Sequence, residues 1–371
     1  PFLITGYQGP DYFCDREKET ASLMSALKNG RNITLISPRR MGKTGLIKNV
    51  FYYIQKENKS AACFYLDIFS TQNLQEFVSL LGRSVLGKLD TLSQSTLKSL
   101  FSFFKSCRPV ISANEITGMP SVTLDFIPER SEETLKEIFT YLNQSGVECY
   151  IAIDEFQQIT NYAEDNVEAI LRTYVQHCNN SYFIFAGSQR HIMGNIFLTA
   201  SRPFYQSVSM MHLESIPLEE YIKFAQKHFK EANKTISKEA IEHIYKYFDG
   251  ITWYMQKVLH TLYDMTPVNQ VADISMVEEA ICQIIGSFQY TYSETLFRMP
   301  EKQKELLIAI TKEGKASAIT SGAFIKKYRL PSSSSVQSAL KGLLEKDFVT
   351  QEAGAYQIYD RFFGLWLQRN Y

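Results

Sequence analysis

Little in this sequence is present in excess. Its 371 residues carry 39 basic and 39 acidic side chains, so the formal net charge is zero. A protein that coats nucleic acid or an anionic membrane through bulk charge would be basic. That class is excluded for the chain as a whole, though not for one part of it. Cysteine is sparse: Cys14, Cys63, Cys107, Cys149, Cys178 and Cys282 contain no CxxC pair, and several fall in apolar runs. Scattered, buried thiols suit a reducing compartment better than a disulfide framework. The six histidines form no HExxH and have no cysteines at zinc spacing, which excludes the common zinc signatures. The longest apolar runs, such as Ile33–Ile36 and Cys149–Ile153, are strand-length, far short of the ~20 residues a membrane helix needs. The opening PFLITGYQGPDYF lacks the basic flank and long apolar stretch of a secretory signal. A soluble, cytoplasmic protein is expected.

What is present is material for a core. Hydrophobic residues make up 45%, charged residues 21% and aromatics 13%, with 22 tyrosines and 25 phenylalanines. Long disorder is not expected from such a composition, and at roughly 150 residues per domain the length implies about two to three domains.

The first two-thirds alternate short β-rich runs with helical stretches. Glu17–Asn29 reads as a helix stopped by Gly30. Ile33–Ile36, Ala61–Leu66, Cys149–Ile153 and Tyr182–Ala186 read as buried strands, with helices expected from Gly42-Lys43-Thr44 onward and near 73–89 and 95–105. Arg108–Pro128 reads as a hairpin turning at Thr117-Gly118, and Ser131 is placed to cap a helix with Glu132 and Glu133 in its first turn. Buried runs of four to six residues separated by helices indicate an α/β fold, a mostly parallel sheet between helical layers. After about residue 212 the pattern turns helical: 217–230, 238–248, 254–264 and 276–290. From Pro300 come three helices (301–312, 317–328, 332–346) and two short β stretches, FVTQ and AYQIYD, the order of a winged helix. The expected division is 1–212, 213–299 and 300–371.

The densest chemistry lies in Ser37-Pro38-Arg39-Arg40-Met41-Gly42-Lys43-Thr44, which fits the phosphate-loop pattern GxxxxGK[ST] except that Ser37 replaces the first glycine. Backbone N–H groups at a helix start cradle phosphate, a lysine reaches the terminal phosphates, and a hydroxyl ligates Mg²⁺. Gly-Lys-Ser/Thr alone arises by chance in roughly one in five chains of this length, so the flanks decide: an apolar strand, ITLI, enters the loop and an amphipathic helix leaves it. The second element, Tyr150–Glu155, is an apolar strand ending in adjacent acids, a Walker B pattern. There Asp154 would hold Mg²⁺ through water and Glu155 would polarise the attacking water. The alternative is a strand end meeting a solvated loop. In the third, Phe183–Arg190, another strand ends in polar residues. Ser188 or Gln189 would sense the γ-phosphate, or Ser188 would simply cap the next helix. Ligands of open α/β sheets gather at the C-terminal strand ends, where all three elements fall.

Tyr12–Glu17, SPRRMGKT, IAIDEFQ, AGSQRHIM, RPFYQ, LEEYIKF and the terminal YDRFFGLWLQR, in that order over nearly the whole chain, resemble the archaeal-type ATPases of the AAA+-related STAND branch of P-loop NTPases. The resemblance implies an ATP-binding α/β domain, a helical lid and a C-terminal winged helix, with ATP or ADP and Mg²⁺ as cofactors. Carried over position by position, it implies that Arg16 lies on the adenine side and that Pro38, Arg39, Arg40, Met41, Gly42, Lys43, Thr44 and Gly45 hold the nucleotide. It implies Thr44 and Asp154 for the metal, Glu155 as catalytic base, Ser188 as sensor, and Arg202, just before Pro203-Phe204-Tyr205, near the γ-phosphate. Three motifs depart from the family pattern: Asp15 stands where a small residue is usual, Gln206 and Ser207 where an arginine is, and Thr252 where the lid has the proline of Gly-x-Pro. Trp253 or Tyr254 would either flank the base there or belong to the core.

Residues 301–371 hold 11 basic and 7 acidic side chains, a net of +4 against −4 for the remainder. The third helix of a winged helix commonly enters the major groove. Here it would expose Ser334, Ser335, Gln337, Ser338 and Lys341, short of the arginines that read guanine. Lys326, Lys327 and Arg329 precede it and would meet phosphate. The leading reading is a Mg²⁺-dependent ATPase acting as a nucleotide-controlled switch, with the winged helix reporting the bound state to a protein partner. A non-hydrolysing nucleotide-binding scaffold, or a DNA-binding regulator using the winged helix, are the alternatives.

Overall fold

The computed structural model describes residues 1–89, 104–113, 120–352 and 354–371. The chain divides into two compact units: Pro1–Phe224 with Ile251–Tyr254, and Ala225–Gly250 with Met255–Tyr371.

The first unit is a parallel sheet with helices on both faces. In chain order its elements are α1 (Glu17–Lys28), β1 (Ile33–Ile36), α2 (Lys43–Glu57), β2 (Ala62–Asp67), α3 (Leu74–Leu89), β3 (Cys107–Ala113), β4 (Pro120–Phe126), α4 (Ser131–Gln144), β5 (Cys149–Asp154), α5 (Val167–Gln176), β6 (Ser181–Gly187), α6 (Arg190–Leu198) and β7 (Ser209–His212). Five strands pair in the order β2-β5-β6-β1-β7, every pair parallel. β6 therefore lies between β1 and β5, and the ends of all three open on one edge.

Side chains alternate across a strand, and here the alternation divides two cores. Ile36, Ile151, Ile153, Phe183 and Phe185 join Phe77, Leu81, Leu135, Ile138 and Phe197 on one face. Ile33, Leu35, Tyr150, Ala152, Ile184 and Ala186 join Leu23, Leu27, Leu46 and Val50 on the other. Burial on both faces is why β5 reads as apolar from Cys149 to Ile153 and β1 as an apolar run interrupted only by the buried Thr34.

The fifth strand, β7, was not expected. Its residues are half-buried or exposed at the sheet edge, so Ser-Met-Met-His carries no buried-strand signature. Ser131 is the first helical residue of α4, and Arg130 takes the cap position. β3 and β4 pair antiparallel. Their turn at Thr117-Gly118 lies outside the described residues, as does nearly all of the helix expected over 95–105. Among the described cysteines Cys282 is exposed, unlike the buried Cys14, Cys63 and Cys149.

In the second unit, helices span Lys238–Tyr247, Ile274–Ser287, Gln289–Phe297, Glu301–Glu313, Gly322–Tyr328, Ser333–Glu345 and Arg361–Asn370. Caps set several boundaries. Ser321 accepts from Phe324 N at 3.2 Å and Ser332 from Ser335 N at 3.3 Å, each satisfying an otherwise unpaired N–H. The helix expected at 317–328 thus begins only at Gly322; ahead of it Ala316 bridges Tyr356. Val349–Glu352 and Ala355–Ile358 form the antiparallel pair. The final helix was not expected. Asp360 caps it, and Phe362, Phe363, Trp366 and Leu367 are buried. Among the described residues no helix is long and apolar enough to cross a membrane.

Candidate active site

Three strand ends and one helix start build the site. β1 runs into the loop 37–42, and α2 opens at Lys43. Ser37 continues the ladder, donating its N–H to Gly187 O at 3.1 Å, and its hydroxyl donates to Pro38 O at 3.0 Å. The left-handed conformations fall instead on Arg40 (φ 70°) and Gly42 (φ 90°). Glycine is therefore needed at the helix start, where a Cβ would be strained, and the loop tolerates serine at its first position.

Lys43 is 8% exposed; its ammonium lies 2.6 Å from Asp154 Oδ1 and 3.0 Å from Glu155 Oε1. Thr44 Oγ1 donates to Asp154 Oδ2 at 3.2 Å. Beyond β5 the chain turns at once, with Glu155 left-handed at φ 56°, so the two carboxylates diverge from one strand end. Glu155 Oε2 accepts from Ser188 Oγ, the first residue after β6, at 2.7 Å and from Gln157 Nε2 at 2.5 Å. Burial pushes the Glu155 carboxyl up, but the Lys43 cation and the donors Ser188 and Gln157 outweigh it and hold it below the ordinary glutamate value. A buried carboxylate and a half-buried one are thus compensated by one cation and a set of hydrogen bonds.

Lys43, Thr44, Asp154, Glu155 and Ser188 are brought together; the remaining expected residues go elsewhere. Arg16 is 2% exposed. Its guanidinium donates to Glu19, to Met41 O at 3.3 Å and to Glu214 O at 2.6 Å, so it clamps the loop backbone. Arg39 lies over the ring of Phe69 at 5.8 Å. Arg40 lies over Trp253 at 4.6 Å and Tyr254 at 5.0 Å and bonds to the Tyr254 hydroxyl. Trp253 N donates to Arg40 O at 2.9 Å and Thr252 Oγ1 to Met41 O at 3.1 Å. Met41 is buried. Pro38 is half-buried. A side chain on Gly45 would crowd the Phe13 ring. Gln189 caps α6. Arg202 pairs with Glu168 on α5, a carboxyl that burial pushes up while Arg202 pulls it down.

Two site residues were missed in the sequence. Gln157, 4% exposed, stands inside the IDEFQ block but its bond to Glu155 depends on the left-handed turn. Tyr65 reaches the site from β2, donating to Asp154 Oδ2 at 2.5 Å and meeting Thr44 Oγ1 at 3.2 Å. Burial and then Asp154 push its phenol above the ordinary range, so it remains a donor.

Residues 13–258 match the model of an ATPase domain found predominantly in Archaea. The chain belongs to this archaeal-type ATPase family. Residues 290–369 match a probable winged helix domain. No curated protein matches the chain. Among solved structures, a Walker-type ATPase of Pyrococcus abyssi is similar at 17% identity and TM-score 0.64, covering 99% of both chains. The ORC2 protein of Aeropyrum pernix, in ADPNP–ADP complexes, is similar at 14% identity and TM-score 0.58, covering 99% of this chain and 96% of that one. ORC1 of the same organism, in complex with DNA, follows at 13% and 0.55, covering 97% and 94%. The archaeal-type ATPase fold here is that of a P-loop NTPase with a C-terminal winged helix.

Proposed function

We propose that the chain binds ATP with Mg²⁺ and hydrolyses it, and that the nucleotide state acts as a switch read out through the winged helix. The observation that carries the reading is the Lys43 ammonium seated between Asp154 and Glu155, with Ser188 and Gln157 on the far side of Glu155. The donor set fits a nucleotide-bound magnesium. Among the described residues no group of three or more His, Cys, Asp and Glu side chains could cage a metal alone. An ion at Thr44 and Asp154 would complete its shell from phosphate oxygens and water, as Mg²⁺ does. Lys43 and the loop N–H groups would hold the phosphates. The bound metal would supply charge neutralisation at the phosphates. Glu155, kept ionised, takes the proton from water as general base, and Ser188 and Gln157 orient its carboxylate.

The switch reading is supported by the bonding at Thr252–Tyr254, the first turn of a helix spanning Thr252–Met265. That turn is tied to the loop backbone at Arg40 and Met41, so a change in the loop is felt there directly. The partner of the winged helix is a protein or DNA; the DNA complex of the A. pernix ORC1 protein makes DNA the partner to test beside protein. On the third helix Ser334, Gln337, Ser338 and Lys341 are exposed, while Lys341 pairs with Glu345 and Lys327 with Glu313. The test of the function is ligand binding: the purified protein is expected to carry ADP or ATP by mass spectrometry and to gain thermal stability with Mg-ATP. Absence of both effects overturns the reading.

A further inference from the structure

Tyr65 stands where a catalytic site of this design has no chemical need of a phenol. Its strand explains how it arrives. On β2, Cys63 and Tyr65 face the α2 side while Phe64 and Leu66 face the other core. In the β2–β5 register Tyr65 lies opposite Ala152, whose small side chain leaves room for a ring to run along β5 past Ile153 to Asp154. Lys48, one turn beyond Thr44 on α2, lies 5.5 Å from the ring centroid and holds the ring from the helix side.

The acceptor count at Asp154 gives the phenol its consequence. An ionised carboxylate offers about four lone-pair sites. Oδ1 lies 2.6 Å from Lys43 Nζ and accepts from Glu155 N at 2.8 Å. Oδ2 accepts from Tyr65 at 2.5 Å and from Thr44 at 3.2 Å. Thr44 can keep donating to Asp154 while its own lone pair meets a cation. The phenol oxygen lies within hydrogen-bond distance of both Thr44 Oγ1 and Asp154 Oδ2, so a cation drawing on those two oxygens would compete with it.

Resting on the nucleotide–magnesium reading above, we propose that Tyr65 tunes the divalent-cation site: its hydroxyl competes with the ion for Asp154 Oδ2 and Thr44 Oγ1, and so sets the free-cation concentration at which nucleotide is held with metal. Tyr65 is a positioning residue in this account, acting through Asp154 and Thr44 on the ion.

The test compares the full-length protein with Tyr65→Phe, which keeps the ring and removes only the hydroxyl. Mn²⁺ is titrated with ADP saturating, the free ion being followed by electron paramagnetic resonance. Loss of one competing hydrogen bond should tighten Mn²⁺ roughly three- to tenfold, with ADP affinity in EDTA changed by less than about twofold. A purely structural role would not tighten the metal arm alone. Unchanged or weaker Mn²⁺ binding overturns the proposal, and weaker binding would mean that Tyr65 orients Asp154 toward the ion. A second measurement stands if the variant folds poorly. In wild-type protein labelled with 3-fluorotyrosine, Mg²⁺ added to the ADP complex should shift the Tyr65 fluorine resonance, and a static resonance overturns the proposal. If the wild type takes up no ADP, the function proposed above fails and the Tyr65 proposal falls with it. If it binds Mn-ADP and the variant binds no tighter, only the Tyr65 proposal falls.

Discussion

Replacing Lys43 with methionine keeps most of the side-chain volume and removes its charge. The cation is 8% exposed and sits against carboxylates that are 4% and 15% exposed. Breaking a buried pair from one side costs about 3–5 kcal/mol. Asp154 keeps the Tyr65, Thr44 and Glu155 N donors, and Glu155 keeps Ser188 and Gln157, so the loss should fall near the lower end, ~3 kcal/mol. For a unit of this size that is a fall in Tm of roughly 6–12 °C. The loss should also depend on pH. In the wild type the Glu155 carboxyl lies below its ordinary value of 4.5, so it contributes stability above that pH and loses it as pH falls. In Lys43→Met the cation and its hydrogen bond are lost, so burial, the largest influence on the Glu155 carboxyl, is opposed only by Ser188 and Gln157 and the folded-state carboxyl rises. Its unfavourable charging then grows as pH rises, by ~1.4 kcal/mol for each unit of that rise. Urea unfolding at pH 5 and pH 8 should therefore show the variant further below the wild type at pH 8. Adding Glu155→Gln to Lys43→Met should recover ~1–2 kcal/mol at pH 8, by removing one of two uncompensated charges. A variant as stable as wild type, or a deficit equal at both pH values, would show that the Lys43 charge does not stabilise the two carboxylates.

Two further substitutions probe the scaffold. Gly187→Ala places a Cβ 2.5 Å from both Gln157 Oε1 and Met193 Sδ, and overpacking of this kind should cost ~1–3 kcal/mol in thermal unfolding and weaken the hold on Glu155. Arg16→Met leaves the carbonyls of Met41 and Glu214 without their buried donor. It should lower stability by ~2–4 kcal/mol and weaken nucleotide binding measured by calorimetry, although the guanidinium is engaged by protein groups.

The sheet was legible because its central strands are buried on both faces, which forces apolar runs at Ile33–Ile36, with only Thr34 polar, and at Cys149–Ile153. The edge strand Ser209–His212 is only half-buried and leaves no such trace. The last helix escaped notice because Gly364 interrupts its first turns and its aromatic residues follow directly on a β stretch. Its burial at Phe362, Phe363, Trp366 and Leu367 appears only once the unit is folded. At the site, Lys43, Thr44, Asp154, Glu155 and Ser188 were legible because each sits at a strand end or helix start, positions that local pattern fixes. Tyr65 and Gln157 were not, since one depends on the β2–β5 register and the other on the left-handed turn at Glu155. Arg202 was assigned by its place beside Pro203-Phe204-Tyr205, and its pairing with Glu168 depends on how the α6–β7 connection folds back to α5.

On the proposed function, Glu155 is the base of an ATPase site and dispensable for holding the nucleotide. Single-turnover phosphate release from pre-bound ATP, compared between wild type and Glu155→Gln, tests it most directly. The variant is expected to bind ATP within about threefold of wild type and to release phosphate slower by roughly 100-fold or more. Release at the wild-type rate from Glu155→Gln, or a wild type that neither binds ATP nor releases phosphate, would contradict it.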